Sequence, residues 1–406
     1  MPKTFTSRYK ITVLLSITIA RVIYSLNWYT LSPGLYQVES SFHASLQSLG
    51  VLESAFLLGA GLFQIPAAYA AARWNAKLLV VTGLAVIALA NGLGSFASSV
   101  LILTLFRFLL GVGAAMFFSP AIVIVAPLFR NERQGLAIGI FNSAFNVGGS
   151  IALLGWAYVV ARYNWRVGLL SGAALAAAAT VMLVLTIKHT EKDFVTTEAD
   201  PKLAVIGVLK NKQIWFLGVG IIGVWSAAYA IAQFLPLFET KVNLLEPATA
   251  SLLASLILVA PIPGSLIGGW LSDKTRNRKA FLLYPTVVFG ICTALIGLAG
   301  LDESLILIPL LGVLQSFSFA SMYAAPFQMD ELGVEQKAIS ISLINSVQIL
   351  GAFVLPIMFT IVATSYGYTN AWLVVGVFVL VFVPFLILFR EPFKRVDKSS
   401  TRFASS

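Results

Sequence analysis

The chain reads as long apolar runs separated by short polar ones. About twelve runs approach the roughly 20 continuous apolar residues that a membrane-crossing helix needs. They lie near 10–32, 46–70, 77–97, 100–123, 135–159, 165–187, 213–237, 248–271, 280–300, 304–327, 337–363 and 368–390. Strands of a membrane barrel would alternate in polarity over ~10-residue segments, and these runs are longer and continuously apolar. The pattern predicts an all-α membrane protein with twelve transmembrane helices. The first run reads as a retained helix, because Arg21 sits in its middle and no small-residue cleavage site follows it.

Composition supports this. The chain is 58% hydrophobic and 11% charged, whereas soluble domains are about a quarter charged. The formal charge of +10 would suit nucleic acid until it is mapped. With an even number of spans both termini lie on one side. That side receives 22 of the 27 Lys and Arg residues, and the other receives Arg162, Arg166 and Lys241. This asymmetry predicts cytoplasmic termini in the cell membrane. The basic charge orients the chain, and no nucleic-acid partner is needed. The lone Cys292 allows no internal disulfide, and His43 and His189 are far apart in sequence, so neither a metal nor a cofactor is expected.

The longest internal polar stretch, 188–212, divides the spans six and six. The predicted units are an N-terminal bundle at 1–187, a cytoplasmic linker at 188–212, a C-terminal bundle at 213–390 and a cytoplasmic tail at 391–406. The halves echo each other at an offset of 203: Asn142-Ser143 with Asn345-Ser346, Gly148 with Gly351, and Tyr163 with Tyr366. Two like-oriented six-span units imply pseudo-symmetry about an axis along the membrane normal.

Three charges lie deep inside the apolar runs, away from their ends: Arg21, Glu53 and Arg107. A charge at that depth costs at least ~2.5 kcal/mol unless it meets a partner or water. Glu53 and Arg107 each fall about seven residues from the non-terminal end of their spans, by 1.5 Å per residue, with Arg21 somewhat deeper. One network of two cations and one anion is therefore expected in the first half. Polar stripes at helical spacing support a cavity there. On span 1 they are Arg21, Tyr24, Ser25, Trp28 and Ser32; on span 2, Glu53 and Gln64; on span 5, Asn142, Asn146 and Ser150. The second half offers neutral groups: Trp225, Tyr229 and Gln233 on span 7, Gln315, Phe319 and Tyr323 on span 10, Asn345 and Gln348 on span 11. The expected division gives ion coupling and an anionic group to the first half, and the body of the solute to the second. Glu53 is the candidate proton carrier, because an apolar wall favours its neutral form and a nearby arginine its ionised form.

Local motifs make the chain resemble the major facilitator superfamily of secondary transporters over its full length. The family pattern G-x-L-x-D-R/K-x-G-R/K-R/K between spans 8 and 9 is matched by Gly269-Trp-Leu271-Ser-Asp273-Lys274-Thr-Arg276-Asn-Arg278-Lys279. Its copy between spans 2 and 3, Ala68 to Lys77, keeps Arg73 but has Ala72 in place of the Asp. The resemblance implies a latch on the cytoplasmic side built from Arg73, Gly269, Asp273 and Lys274, with close helix packing at the Gly, and weaker in the first copy. Leu103, Arg107, Gly111 and Gly113 match a second pattern, L-x-x-x-R-x-x-x-G-x-G, whose arginine the family links to proton or substrate coupling. Arg130-Asn-Glu132-Arg133 is typical of the loop after span 4. The Gly-Pro-x-x-Gly-Gly element of the drug/proton antiporters is reduced to Gly148-Gly149, which weighs against drug antiport.

The expected function is alternating-access transport, by proton symport, of a small anion. The expected site is Arg21, Tyr24, Ser25, Trp28, Arg107, Asn142, Asn146, Tyr229, Gln233, Gln315, Tyr323, Asn345 and Gln348, with Glu53 and Arg107 coupling the proton. The partners expected are the solute, a proton and the lipid bilayer, with the chain acting as a monomer. Proton-driven export of amphiphiles is the alternative. A sensor would need a signalling domain. No Ser/His/Asp grouping suggests an enzyme, and no Gly-x-x-x-x-Gly-Lys-Ser/Thr loop suggests ATP-driven transport.

Overall fold

A computed structural model describes residues 6–71, 75–129, 134–188 and 201–392. Among them every regular element is helical. Twelve helical stretches are long and apolar enough to cross a membrane: span 1 Ser7–Phe42, span 2 Leu46–Ala70, span 3 Ala76–Gly94, span 4 Val100–Leu128, span 5 Leu136–Arg162, span 6 Trp165–Thr186, span 7 Lys212–Lys241, span 8 Pro247–Thr275, span 9 Arg278–Leu298, span 10 Leu301–Gln328, span 11 Ile339–Tyr366 and span 12 Tyr368–Leu388. The linker contains a further helix, Pro201–Lys210.

Short polar side chains start many of these helices by satisfying orphan backbone N–H groups. Ser45 accepts from Ser48, Asn75 from Leu78, Ser99 from Ile102, Asn164 from Val167 and Asn277 from Ala280. Span 1 runs further than its apolar stretch suggests. A turn at Ser32–Gly34 interrupts it, and helix resumes over Leu35–Phe42. Pro33 allows this restart, since a proline fits the first turn of a helix.

The internal repeat is visible in the packing. A Cβ on Gly148 of span 5 would strike the backbone of Val22 on span 1, and one on Gly351 of span 11 would strike Ile222 on span 7. The same pair of spans is thus pressed together in each half. The halves differ in continuity. Spans 7, 8, 11 and 12 are broken near Ile221, Ala260, Phe353 and Phe382. Pro261 and Pro384 follow two of these breaks, each unable to donate the backbone hydrogen bond that would continue the helix.

With twelve spans, the start of span 1 and the end of span 12 fall at one face of the bundle, here the terminal face; the opposite one is the far face. Among the described residues, hydrogen bonds and an ion pair join the halves from the far face to mid-depth. Ser32 Oγ donates to Ala232 O (2.6 Å), Lys241 pairs with Glu39 (2.6 Å), Gln233 Nε2 donates to Trp28 O (3.2 Å) and Ser54 Oγ to Phe353 O (2.5 Å). Ser346 Oγ donates to Gly61 O at mid-depth (3.0 Å). Nearer the terminal face the halves share a longer Ser119–Ser342 contact (3.4 Å). The far face is therefore closed.

Candidate functional site

Glycine brings spans 2 and 4 into backbone contact. A Cβ at Gly59 would strike Phe108 O, and one at Gly111 would strike Phe56 O. That crossing brings Glu53 and Arg107 together. Arg107 Nη2 lies 2.5 Å from Glu53 Oε2, with both side chains at most 1% exposed. The second half completes the cluster, because Tyr229 Oη donates to the same Oε2 at 2.9 Å. Arg107 also lies 4.9 Å from the centroid of Phe56. A buried pair balances desolvation only when its geometry is good and its remaining groups are bonded. Here Glu53 Oε1 and Arg107 Nε and Nη1 have no hydrogen-bond partner.

Arg21 stands apart, so the expected network of three charges does not form. Among the described residues Arg21 makes no ion pair. Its guanidinium carbon lies 4.5 Å from the centroids of Tyr24 and Phe118, 4.9 Å from Phe145 and 5.1 Å from Phe141. Matching depth was not enough; the side chain turns toward aromatic rings of spans 4 and 5. A desolvated cation over such rings gains roughly 2 kcal/mol per good contact, which offsets part of its burial. Arg21 is 7% exposed, and its Nε and Nη1 have no hydrogen-bond partner.

Between the halves lies a cavity of about 160 Å³, lined by residues that include Arg21, Tyr24, Trp28, Asn142, Asn146, Trp225, Tyr229, Gln315, Tyr323 and Asn345. Trp28, Tyr29 and Tyr229 at its far end are buried. Asn142, Ser265 and Tyr323, nearer the terminal face, keep partial exposure. Among the described residues the wall carries one cation, Arg21, and no carboxylate.

Nine of the thirteen expected solute contacts reach this wall. The other four do not. Ser25 donates to Phe145 O, Gln233 to Trp28 O and Gln348 to Asn345 Oδ1, while Arg107 is held by Glu53. Three of them are consumed by helix-to-helix or local bonds, which a polar stripe cannot distinguish from solute contacts. The wall also includes Tyr29, Phe118, Phe145 and Ser316, which sequence reasoning missed. Phe141 and Phe145 sit at i and i+4 on span 5, a spacing that could have flagged a ring pair for Arg21. Glu239 was missed as well. It lies beyond the expected end of span 7, yet it is fully buried and bonded to Asn243 (2.7 Å) and Ser304 (3.4 Å). The second half therefore does hold a buried carboxylate, away from the cavity.

The loop between spans 8 and 9 forms a compact network. Arg278, 4% exposed, pairs with Asp273 and donates to Ser272 Oγ and to Gln328 Oε1 (3.1 Å). Lys274 lies over Trp270 at 4.8 Å. The close packing expected at Gly269 falls one residue earlier. A Cβ at Gly268 would press on Phe317 at 2.5 Å, whereas one at Gly269 meets only Ala320 at 4.0 Å. Asp273 thus serves the arginine of its own loop. Ala72, Arg73 and the Arg130–Arg133 element lie outside the described residues.

The model of the Major Facilitator Superfamily matches residues 17–245 and 244–405. The chain belongs to this superfamily. It is 25% identical over 289 residues to a glycerol-3-phosphate transporter of Bacillus subtilis, covering 63% of each chain. It is 23% identical to a hexuronate transporter of the same organism, covering 73% of this chain and 74% of the relative. The chain spans under two thirds of the length of the first of these. A crystal structure of a bacterial homologue of the human lysosomal transporter Spinster, inward-facing and unoccupied, shares the fold with a TM-score of 0.81 at 16% identity, covering 96% of this chain and 98% of that one. The protein is a multi-pass membrane protein of this fold, and its relatives include proteins named as glycerol-3-phosphate and hexuronate transporters.

Proposed function

We propose that the protein carries a small organic anion across the cell membrane with a proton, by alternating access. One observation carries this reading: a buried arginine without an ion pair, on the wall of the cavity between the halves. A solute anion is the partner that would offset its burial. The relatives named for glycerol-3-phosphate and hexuronate transport are consistent with an anion. The 22-to-3 split of Lys and Arg supports cytoplasmic termini. With that orientation, a closed far face corresponds to an inward-facing state.

Glu53 is the proposed proton site. Tyr229 has one hydroxyl proton, lines the cavity and donates to Glu53. A solute that recruits this hydroxyl would remove one of the two donors that Glu53 Oε2 accepts, and a proton could take that place. Solute and proton then communicate through a shared donor, although Glu53 does not line the cavity.

The test is thermal stabilisation of the purified protein by a panel of organic anions, followed by uptake of the stabilising anion into proteoliposomes under an imposed proton gradient. Stabilisation should vanish in Arg21→Ala. Glu53→Gln should lose gradient-driven uptake and keep anion exchange. The many aromatic rings on the wall favour a second reading, export of amphiphiles by proton antiport. Stabilisation by neutral or cationic amphiphiles alone, unchanged in Arg21→Ala, would replace the first reading with the second.

A further inference from the structure

We infer that the solute is a small hydroxylated monocarboxylate, held through its carboxylate by Arg21 and through a hydroxyl by Gln315. This rests on the anion reading above and narrows it by charge and by hydrogen-bond inventory.

Charge comes first. Arg21 is the one cationic side chain among the described residues of the wall, and no carboxylate accompanies it. Arg107, the other arginine deep within the spans of the same half, is off the wall and already paired with Glu53 at 2.5 Å. The site thus offers one uncompensated positive charge. A monoanion neutralises it. A dianion, such as a phosphate monoester above its second pKa of about 6, would leave a negative charge buried without a partner, which is strongly unfavourable. A guanidinium meets a carboxylate with charge-assisted hydrogen bonds, and among the described residues Nε and Nη1 of Arg21 have no partner, so the group keeps donors to spare.

The opposite half supplies the second constraint. Gln315 is 6% exposed and lines the cavity, and its Oε1 accepts no hydrogen bond. An apolar body packed against that acceptor would leave it unsatisfied, whereas a solute O–H satisfies it. Asn142, Asn146 and Asn345 add further amides that both donate and accept. The cavity of about 160 Å³ is below the roughly 300–1,000 Å³ of drug-sized pockets. One charge at Arg21, hydroxyls at the amides and a small body together describe a hydroxy-acid.

The experiment titrates the wild-type protein in detergent at pH 8 with D-gluconate, D-glycerate, hexanoate and glycerol 3-phosphate, reading the shift in thermal unfolding. The expected result is stabilisation by at least one of the two hydroxy-acids at concentrations at least about tenfold lower than hexanoate or glycerol 3-phosphate require, about 1.4 kcal/mol at that ratio. Arg21→Gln should remove the shift, and Gln315→Leu should bring the hydroxy-acid down to the level of hexanoate. Glycerol 3-phosphate acting as well as or better than the hydroxy-acids would overturn the monocarboxylate and leave the anion reading standing. Hexanoate acting as well as they do would overturn the hydroxyl requirement. No shift with any of the four would count against the anion reading itself. The wild-type comparison decides the matter even where a variant folds poorly.

Discussion

The two six-span halves share a topology and divide the chemistry. In each, a glycine on the fifth span presses against the first, at Gly148 in one and Gly351 in the other. Beyond that they differ. The first half holds Arg21, Glu53 and Arg107 in helices without breaks at those sites. The second faces the cavity with amides and rings and concentrates its helix interruptions in spans 7, 8, 11 and 12. The break at Ala260 lies between Leu258 and Pro261, both on the cavity wall. A duplicated fold can thus keep its helix packing while one copy carries the charges at and beside the cavity and the other carries most of the helix interruptions.

The sharpest way to break this comparison is within the charged half. Arg107→Leu strands Glu53 in the interior, and losing one partner of a buried pair costs about 3–5 kcal/mol. Arg21→Leu removes a cation that has no ionic partner, so thermal stability should hold or rise while anion binding is lost. Unfolding curves of the two variants without solute give the answer. Equal losses would mean that Arg21 is as firmly paired as Arg107.

Next come the two matched glycines. Gly148→Ala would push a methyl into the backbone of Val22, whereas Gly351→Ala would meet the movable side chain of Ile222. Overpacking costs typically about 1–3 kcal/mol, and the first variant should fall in that range with the second below it. A reversed order in thermal unfolding would show that the second half is the tighter copy. The smallest effect belongs to the Lys241–Glu39 pair across the far face, where the side chains are 36% and 24% exposed. Lys241→Ala should cost at most about 1 kcal/mol, and the difference from wild type should shrink at high salt. A larger, salt-independent loss would make this pair a principal seal between the halves.

The fold was legible because a membrane span is specified by length and apolarity, both one-dimensional properties. Glu53 and Arg107 were placed at equal depth by counting residues, and they pair at 2.5 Å. Arg21 reaches the cavity wall but does not join that pair, because depth along a helix says nothing about which neighbour a side chain turns toward. The same limit explains Gln348, which spends its amide on Asn345 three residues away, and Glu239, which sits just past an apolar run yet is fully buried. The packing glycine of the second latch copy was misjudged by one residue for a related reason. Gly268 and Gly269 are adjacent in sequence and point about 100° apart on the helix.

The indoles on the cavity wall have an optical consequence. Of the eight tryptophans in the chain, Trp28 belongs to the first half and Trp225 to the second. Both line the cavity, with ring centroids 6.0 Å apart. Trp225 is also stacked on Tyr229, 5.7 Å away at 6°. Solute arriving beside these rings, or the halves parting at the far face, would change the polarity and quenching that this pair reports. The intrinsic ultraviolet emission of the unlabelled protein should therefore follow both occupancy and opening in real time.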